Sequence, residues 1–244
     1  MGVPGVCEAV GSVRGDNIMA SENIKLFHSL NDILAMIPVS IFEQLSYESK
    51  LGKSLKKTLR HFDSLKLLEE VETVAEWLNS MNDILRGTRA EYRVKSLESI
   101  RAKYERSKGF QGCQVCEVFN DILGLRFVCG NYEELRLMKA ASFRVSDMSK
   151  GKANDDGYRG LHVYYQMSNK HYPIELQFHT LKDSRINAFL HDNVYKRGLS
   201  SNTGRQIRAK YEENLLKGED GFKDINIALP ENNMHTSDGE IITP

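Results

Sequence analysis

Residues 173–178 constrain the fold more than any other segment, because their side chains alternate strictly between apolar and polar. The apolar positions are Ile174, Leu176 and Phe178, and the polar positions are Glu175 and Gln177. Successive side chains of a strand point to opposite faces, so this period of two predicts a strand with one buried and one polar face. His179 continues the polar series, and the predicted strand therefore presents a carboxylate, an amide and an imidazole on one side.

Helical spacing of apolar residues predicts helices before and after this strand. The predicted helices span residues 23–51, with an interruption at Pro38, 54–85, 96–108, 182–197 and 203–217. Residues 121–129 form a short apolar run and residues 160–167 are rich in β-branched and aromatic side chains, so both predict strands. Asn131 is predicted to cap a short helix after the first of these strands. This order of elements predicts an α/β or α+β fold with a small mixed sheet flanked by helices.

A chain of 244 residues is long enough to bury its own core as one domain with extensions. Residues 1–22 are rich in glycine and weakly patterned, which predicts a flexible N-terminus. Residues 23–217 are predicted to form the domain, with long N- and C-terminal helices as its extensions. Residues 218–244 are polar and poor in apolar side chains, which predicts a disordered tail.

Charge and cysteine content limit the partners that the chain is expected to have. The 33 basic and 33 acidic residues cancel, so any site for an anion has to be built locally. The sequence has neither a run of about 18 apolar residues nor a signal-peptide pattern, so we expect a cytoplasmic location and no membrane partner. Cys113 and Cys116 form a CxxC pair without a second pair at zinc spacing, so we expect reduced thiols rather than a metal site.

A first polar cluster lies in residues 93–103. Lys95, Ser99 and Lys103 are spaced by four, so on a helix they share one face, and Arg93 precedes them. Several cations on one face suit a polyphosphate, because each adds a charge-assisted hydrogen bond to a phosphate oxygen. A solvated basic helix face remains the alternative.

A second cluster consists of Asp121 and Arg126 at the two ends of a short apolar run. An aspartate at the start of an apolar strand is costly unless it caps, pairs or binds a cation. The two residues lie five apart, so on a regular strand they point to opposite faces. A structural Asp–Arg pair is the alternative to a cation site.

A third cluster combines residues 157–162 with the polar face of the strand at 173–178. Tyr158 offers a flat ring on which a base can stack, and Gly157 permits a turn before it. Tyr158, Gly160 and His162 share one face of an extended chain, as do the polar residues from Glu175 to His179. If the two strands are neighbours, these groups meet in one site, although a solvated sheet face gives the same alternation.

Together, the three clusters resemble the synthetase domain of RelA/SpoT-type alarmone synthetases, which move the β,γ-pyrophosphate of ATP onto GDP or GTP. Five blocks agree in order and spacing: residues 93–103, 121–126, 157–162 and 175–180, and His191 with Tyr195 and Lys196. The resemblance implies a nucleotidyltransferase-like synthetase fold. The short length implies a small stand-alone synthetase without the hydrolase domain of longer family members.

The resemblance also implies roles on the donor side of the reaction. Arg93 and Arg126 would sandwich the adenine of ATP. Lys95, Ser99 and Lys103 would bind its phosphates. These side chains match the donor motifs of the family position by position.

The remaining implied roles concern the metal and the acceptor. Asp121 and Glu175 would hold Mg²⁺, and Glu175 would also act as the base toward the 3′-hydroxyl of GDP or GTP. The acceptor side would consist of Tyr158, stacked on guanine, with His162, Gln177 and Lys152 nearby. Small family members often form homotetramers through terminal helices, so we expect the helices at 54–85 and 203–217 to serve in that way.

Two departures from the family pattern fall on the acceptor side. Asn154 occupies a position where the family often has a lysine, which Lys150 or Lys152 could replace. His179 stands where an arginine often precedes the final Thr180. The acceptor identity is therefore less constrained by the sequence than the use of ATP.

Three functions remain open at this point. The first is a GTP pyrophosphokinase. The second is a toxic relative that pyrophosphorylates the 3′ end of tRNA and would have tRNA or a neighbouring antitoxin as a partner. The cations Lys53, Lys56, Lys57 and Arg60 offer it a local basic cluster. The third is an inactive module that only senses nucleotides, against which the intact Asp121 and Glu175 argue.

Overall fold

The computed structural model describes residues 37–88, 90–110, 112–136 and 142–225. The predicted flexible N-terminus, the predicted helix up to residue 36 and most of the predicted tail lie outside the described residues.

The described part contains short helices around one sheet. The helices are α1 (Val39–Gln44), α2 (Ser64–Ser80), α3 (Asn82–Gly87), α4 (Leu97–Ser107), α5 (Val115–Val118), α6 (Glu133–Arg136), α7 (Leu181–Leu190) and α8 (Ser201–Leu216), with a 3₁₀ turn at Leu59–His61 and a π-helical turn at His191–Tyr195. The strands are β1 (Glu91–Val94), β2 (Leu123–Cys129), β3 (Phe143–Asp147), β4 (Leu161–Tyr165) and β5 (Ile174–Thr180).

The sheet has five strands in the order β1-β2-β5-β4-β3. The central pair β2–β5 is parallel, and every other neighbouring pair in it is antiparallel. This arrangement confirms the predicted α+β class with a small mixed sheet flanked by helices. The strand predicted from residues 173–178 is β5, which lies at the centre of the sheet between the other two predicted strands, β2 and β4.

One face of the sheet forms the main core. Its apolar side chains include Leu125 and Phe127 of β2 and Leu176 and Phe178 of β5, each at most 2% exposed. The rings of Phe127 and Phe178 stack with their centroids 5.2 Å apart. Burying a side chain of this size stabilises the fold by about 1.5–3 kcal/mol, so this face holds the opposite, polar face in register.

The predicted helix at 54–85 is wrong at its start, because α2 begins only at Ser64. Asp63 caps it by accepting a hydrogen bond from the backbone N–H of Lys66 at 3.0 Å. Leu55 and Leu59 are buried, but the carbonyl of Leu55 accepts from the backbone N–H of Cys116 and the N–H of Leu59 donates to the carbonyl of Cys113. Tertiary pairing with a distant segment therefore overrides a helical spacing of apolar residues.

Helices α7 and α8 form a second, smaller core beside the sheet. Its buried side chains are Ile186, Leu190, Val194, Ile207, Tyr211 and Ile225. A buried ion pair between Arg208 and Asp183 joins the two helices, and the hydroxyl of Tyr132 donates to Asp183 at 2.6 Å. The predicted helix at 182–197 consists in the structure of α7 followed by the π-helical turn. π-Helical turns often occur at functional sites.

The loop before β4 packs directly against the first turn of α8. Gly157 has a φ of +88°, and a Cβ at this position would lie 2.4 Å from the carbonyl oxygen of Gly204. A Cβ on Gly204 would lie 2.1 Å from the carbonyl oxygen of Asp156. Only glycine fits at both positions, and this contact sets where the following Tyr158 enters the polar face of the sheet.

Helices long and apolar enough to cross a membrane are absent from the described ranges.

Candidate functional site

The polar face of the sheet brings the predicted site residues into one register. Glu175 of β5 pairs with Gly124 of β2 on one side and with Tyr164 of β4 on the other. The next row places Gln177 between Arg126 and His162. At the edge, Arg93 of β1 pairs with Gly124. The expectation that the strands bearing His162 and Glu175 are neighbours is confirmed.

A cavity of about 520 Å³, here called the central cavity, opens on this polar face. Six predicted site residues line it: Arg93, Arg126, Lys152, Tyr158, His162 and Gln177. Glu175 is outside this lining but lies next to it, because a Cβ on the lining residue Gly124 would lie 3.6 Å from the Oε2 atom of Glu175. The absence of a side chain at Gly124 therefore leaves space above the carboxylate.

Glu175 is 5% exposed and its two oxygens accept hydrogen bonds from three neighbours. Oε1 lies 2.9 Å from Nδ1 of His162 and accepts from the hydroxyl of Tyr164 at 3.1 Å. Oε2 accepts from Nε2 of Gln177 at 2.6 Å. Burial raises the pKa of Glu175, but the interactions with His162 and Gln177 outweigh burial and hold that pKa below its usual value. The carboxylate is therefore ionised at neutral pH.

Asp121 lies immediately before β2, where two lysines converge on it. Nζ of Lys95 lies 2.6 Å from one carboxylate oxygen and Nζ of Lys103 lies 2.9 Å from the other. Burial raises the pKa of Asp121, but the charges of Lys103 and Lys95 outweigh burial, so the pKa is lowered. The arrangement gathers one negative and two positive charges at the edge of the polar face. The alternative of an ion pair between Asp121 and Arg126 is wrong, because Asp121 pairs with the two lysines and Arg126 pairs with Glu91.

Lys95 does not lie on the helix face predicted for Lys95, Ser99 and Lys103. Helix α4 begins after its cap, Ser96, so Lys95 lies in the connection between β1 and α4 and only Ser99 and Lys103 are helical. Ser99 is exposed, and its hydroxyl bonds to that of Ser96 at 2.9 Å. Lys95 and Lys103 thus meet at Asp121 through tertiary folding rather than through a shared helix face.

Arg126 is exposed and contacts its neighbours in the sheet. It donates to Oε1 of Gln177 at 3.4 Å and lies 3.5 Å from Oε2 of Glu91. Arg93 lies on the same face, diagonally opposite Arg126, because Arg93 pairs with Gly124 in the register of β1 and β2. Both guanidinium groups line the central cavity.

The hydroxyl of Tyr158 lies between two imidazoles. It is 2.5 Å from Nε2 of His162 and 2.7 Å from Nε2 of His179. Both imidazole rings stand nearly perpendicular to the tyrosine ring, at 87° and 81°. Nζ of Lys152 lies 4.8 Å from the centroid of the same ring and pairs with Asp156 at 2.7 Å. Tyr158 is thus held by its hydroxyl while its ring lines the cavity.

Several cavity residues were not among the predicted site residues. Five polar ones come from α7 and the π-helical turn: Ser184, Asn187, His191, Asp192 and Tyr195. Their spacing of three and four is a detectable signal, since it marks one polar helix face. Nδ1 of His191 lies 3.1 Å from a carboxylate oxygen of Asp192 at the cavity wall.

Tyr164 was not predicted as a site residue either, although it follows Tyr158, Gly160 and His162 at the same spacing of two. Its hydroxyl donates to Glu175, and the guanidinium carbon of Arg144 lies 4.3 Å above its ring. A second cavity of about 380 Å³ borders this ring on the side of Arg144 and Lys56.

The cysteines that the structure describes are free thiols: Cys113, Cys116 and Cys129. Burial raises the pKa of Cys116, and it raises that of Cys129 to about 12. Within the described ranges, no group of three or more His, Cys, Asp or Glu side chains is placed to hold a metal ion.

Comparison with known proteins gives one family and several solved structures. Residues 92–200 match the region found in RelA and SpoT proteins. The small alarmone synthetase 2 from Bacillus subtilis is similar to the chain at 21% identity, over 64% of this chain and 97% of that chain, with a TM-score of 0.36. The small alarmone synthetase 1 from Bacillus subtilis, bound to its product pppGpp, matches at 21% identity over 62% and 93% of the two chains, with a TM-score of 0.34. No curated protein matches the chain significantly.

Proposed function

We propose that this chain, whose residues 92–200 match the region found in RelA and SpoT proteins, is a pyrophosphokinase that transfers the β,γ-pyrophosphate of ATP to the 3′-hydroxyl of GDP or GTP. The observation that carries the proposal is the convergence of Lys95 and Lys103 on Asp121, together with the position of Glu175 next to the central cavity. Pyrophosphoryl transfer depends mainly on positioning and on neutralising phosphate charge, and these groups supply both.

Arg93 and Arg126 are suited to hold the adenine of ATP. Diagonal neighbours on adjacent antiparallel strands lie roughly 7–8 Å apart. A flat ring between two guanidinium planes needs about 3.5 Å on each side, so the spacing fits one base. Cation–π attraction adds to this contact. Lys95, Ser99 and Lys103 then lie on the side of Asp121, where they would bind the phosphates.

Asp121 and Glu175 fit a magnesium site of the kind that is completed by substrate. Mg²⁺ is commonly held by one or two carboxylates together with substrate phosphates and water, and both carboxylates here are ionised at neutral pH. When bound, Mg²⁺ would neutralise charge on the phosphate oxygens. Lys95 and Lys103, which now pair with Asp121, would then turn toward the phosphates.

The acceptor would bind on the opposite side of the central cavity. Its base would stack on Tyr158, with Gln177, His162 and Lys152 within the same cavity. Glu175 would accept the proton of the 3′-hydroxyl as that oxygen bonds to the β-phosphorus of ATP. The bond between the β-phosphorus and the oxygen that bridges the α- and β-phosphorus atoms breaks, and AMP leaves.

The test is product analysis with pure protein, labelled ATP, Mg²⁺ and either GDP or GTP. We expect a 3′-pyrophosphorylated nucleotide and AMP in equal amounts. Glu175→Gln should lower kcat by roughly 10²–10⁴-fold while leaving ATP binding intact, as expected for loss of a general base. Glu76→Gln, which changes an exposed carboxylate on α2, is the matched control. If wild type and Glu175→Gln bind ATP but are equally inactive with every acceptor, the chain is a nucleotide-binding module instead.

A second candidate acceptor is the 3′ end of tRNA. The cations Lys53, Lys56, Lys57 and Arg60 are all exposed. They lie in the segment before α2, where the three lysines are in irregular chain and Arg60 is in the 3₁₀ turn. An exposed basic cluster is what binding of a phosphate backbone requires. Labelled ATP with deacylated tRNA tests this candidate, and neutralising Lys57 and Arg60 should lower the salt dependence of binding. Unmodified tRNA ends, together with labelled GDP or GTP, would exclude it.

We also propose that the chain forms a homotetramer and that it is cytoplasmic. Leu65 on α2 and Leu216 on α8 are 73% and 89% exposed, which supports association through these helices. Light scattering of the wild type and of a Leu65→Lys, Leu216→Lys variant tests it. A wild-type monomer would contradict the proposal.

A further inference from the structure

We infer that His179 is a positioning residue of the acceptor side, which donates a hydrogen bond to the hydroxyl of Tyr158 and thereby orients His162 toward Glu175. The expected effect on acceptor binding rests on the proposed function, whereas the hydrogen bonds themselves involve only four side chains. These form one continuous chain of contacts: Glu175 to His162, His162 to Tyr158, and Tyr158 to His179.

The direction of these hydrogen bonds follows from what each group can donate. The ionised Glu175 only accepts, so Nδ1 of His162 must carry the proton on that side. Tyr158 has one hydroxyl proton for the two Nε2 atoms beside it. Nδ1 of His179 is buried without a partner, which places the proton of that ring on Nε2, so the hydroxyl proton of Tyr158 goes to Nε2 of His162 at 2.5 Å. The tyrosine oxygen is left to accept, so Nε2 of His179 is the donor at 2.7 Å.

The other nitrogen of His179 agrees with this direction. Nδ1 is buried and has no hydrogen-bond partner in the described part of the chain, and the residue is 2% exposed. A buried N–H without a partner is rarer in proteins than an unsatisfied acceptor, which favours a bare Nδ1 and a proton on Nε2. Burial lowers the pKa of His179 to about 3, so the ring stays neutral at physiological pH.

The lack of a side chain at Gly160 makes room for this arrangement of the rings. A Cβ on Gly160 would lie 2.8 Å from Cδ2 of His179 and 3.0 Å from the hydroxyl oxygen of Tyr158. Gly160 therefore lets the two rings approach across the sheet. With its hydroxyl held at this point, the ring of Tyr158 keeps one orientation at the cavity wall, where the acceptor base would stack.

A double-mutant cycle tests the coupling between the two side chains. His179→Leu and Tyr158→Phe each remove one end of the hydrogen bond, and each should raise the KM for the acceptor about tenfold, with a smaller change in kcat. The double variant should be no worse than either single variant. His179→Gln, which can place an amide donor near the former Nε2, should restore most of the loss, and the KM for ATP should stay unchanged.

Two outcomes of the cycle would overturn the inference. Losses that multiply in the double variant would show that His179 does not act through Tyr158. A His179→Leu variant with the wild-type KM for the acceptor would leave His179 only a packing role. His61→Leu, at an exposed histidine remote from the cavity lining, is the control for loss of an imidazole.

A second measurement needs no enzymatic activity and separates this inference from the proposed function. Nuclear magnetic resonance of protein labelled at histidine distinguishes the two neutral tautomers. We expect the proton on Nδ1 in His162 and on Nε2 in His179, with the His179 signals unchanged from pH 8 to pH 5. A proton on Nδ1 of His179 would refute the inference even if the enzyme makes its product, and the expected pattern would uphold it even if no acceptor is found.

Discussion

Burial of His179 makes the stability of this protein depend on pH in a window where few other groups titrate. The pKa of His179 is lowered from 6.5 to about 3 in the folded chain, chiefly by burial and next by the charge of Arg126. In the unfolded chain it returns to about 6.5. Between these values the unfolded chain binds one more proton than the folded chain, so the free energy of unfolding falls as the pH is lowered.

The size of the effect follows from the unfolded pKa alone, provided that the folded value lies well below 5. Each pH unit below the unfolded pKa costs about 1.4 kcal/mol, and the approach to that limit is gradual near pH 6.5. From pH 7 to pH 5 the loss sums to about 2 kcal/mol. That is a large share of the roughly 5–15 kcal/mol that stabilises an ordinary domain.

Urea denaturation at pH 7, 6 and 5 measures this loss. His179→Gln removes the titrating ring, so the difference in stability between wild type and variant should move by about 2 kcal/mol in favour of the variant as the pH falls from 7 to 5. Asp121 and Glu175 also have lowered pKa values, but their contribution is lost mainly as the pH falls through about 4, the range of unfolded carboxyl groups. Above pH 5, the change in the stability difference between wild type and His179→Gln therefore reports on the imidazole of His179.

The control is His61→Gln, which replaces an exposed histidine and should leave the pH dependence unchanged. Equal losses of stability in wild type and His179→Gln between pH 7 and pH 5 would refute the argument. Such a result would mean that the folded chain accommodates a charged imidazole at this position.

Three further changes have defined outcomes. Gly157→Ala should destabilise the protein by more than about 1 kcal/mol in urea denaturation, because the new Cβ meets the carbonyl oxygen of Gly204 at a positive φ; a stability equal to wild type would contradict the close contact. Arg208→Met should cost about 3–5 kcal/mol, since it leaves Asp183 charged and buried without its partner, and an unchanged Tm would show that the pair is dispensable. Lys103→Met should raise the KM for ATP by about 10–100-fold through loss of a charge-assisted phosphate contact, whereas Lys108→Met, at an exposed lysine of the same segment, should not.

The strands that the sequence predicts correctly are those with a clear apolar–polar pattern within their own residues. The alternation around Glu175 predicts β5 and its polar face, and the apolar run after Asp121 predicts β2. The edge strands β1 and β3 are short and partly exposed, so neither has the buried face that produces an apolar pattern. Their pairing depends on neighbours far along the chain, which a local pattern does not contain.

The same division holds for the candidate site. The types and order of its residues, from Arg93 to Glu175, are readable from sequence, because charge, aromatic rings and spacing are properties of the chain itself. Only the tertiary structure decides that Lys95 and Lys103 meet at Asp121 from different elements, and that the hydroxyl of Tyr158 lies between two imidazoles. Hydrogen-bond direction, burial and the lowered pKa of His179 arise only when strands distant in sequence are brought within a few ångströms of each other.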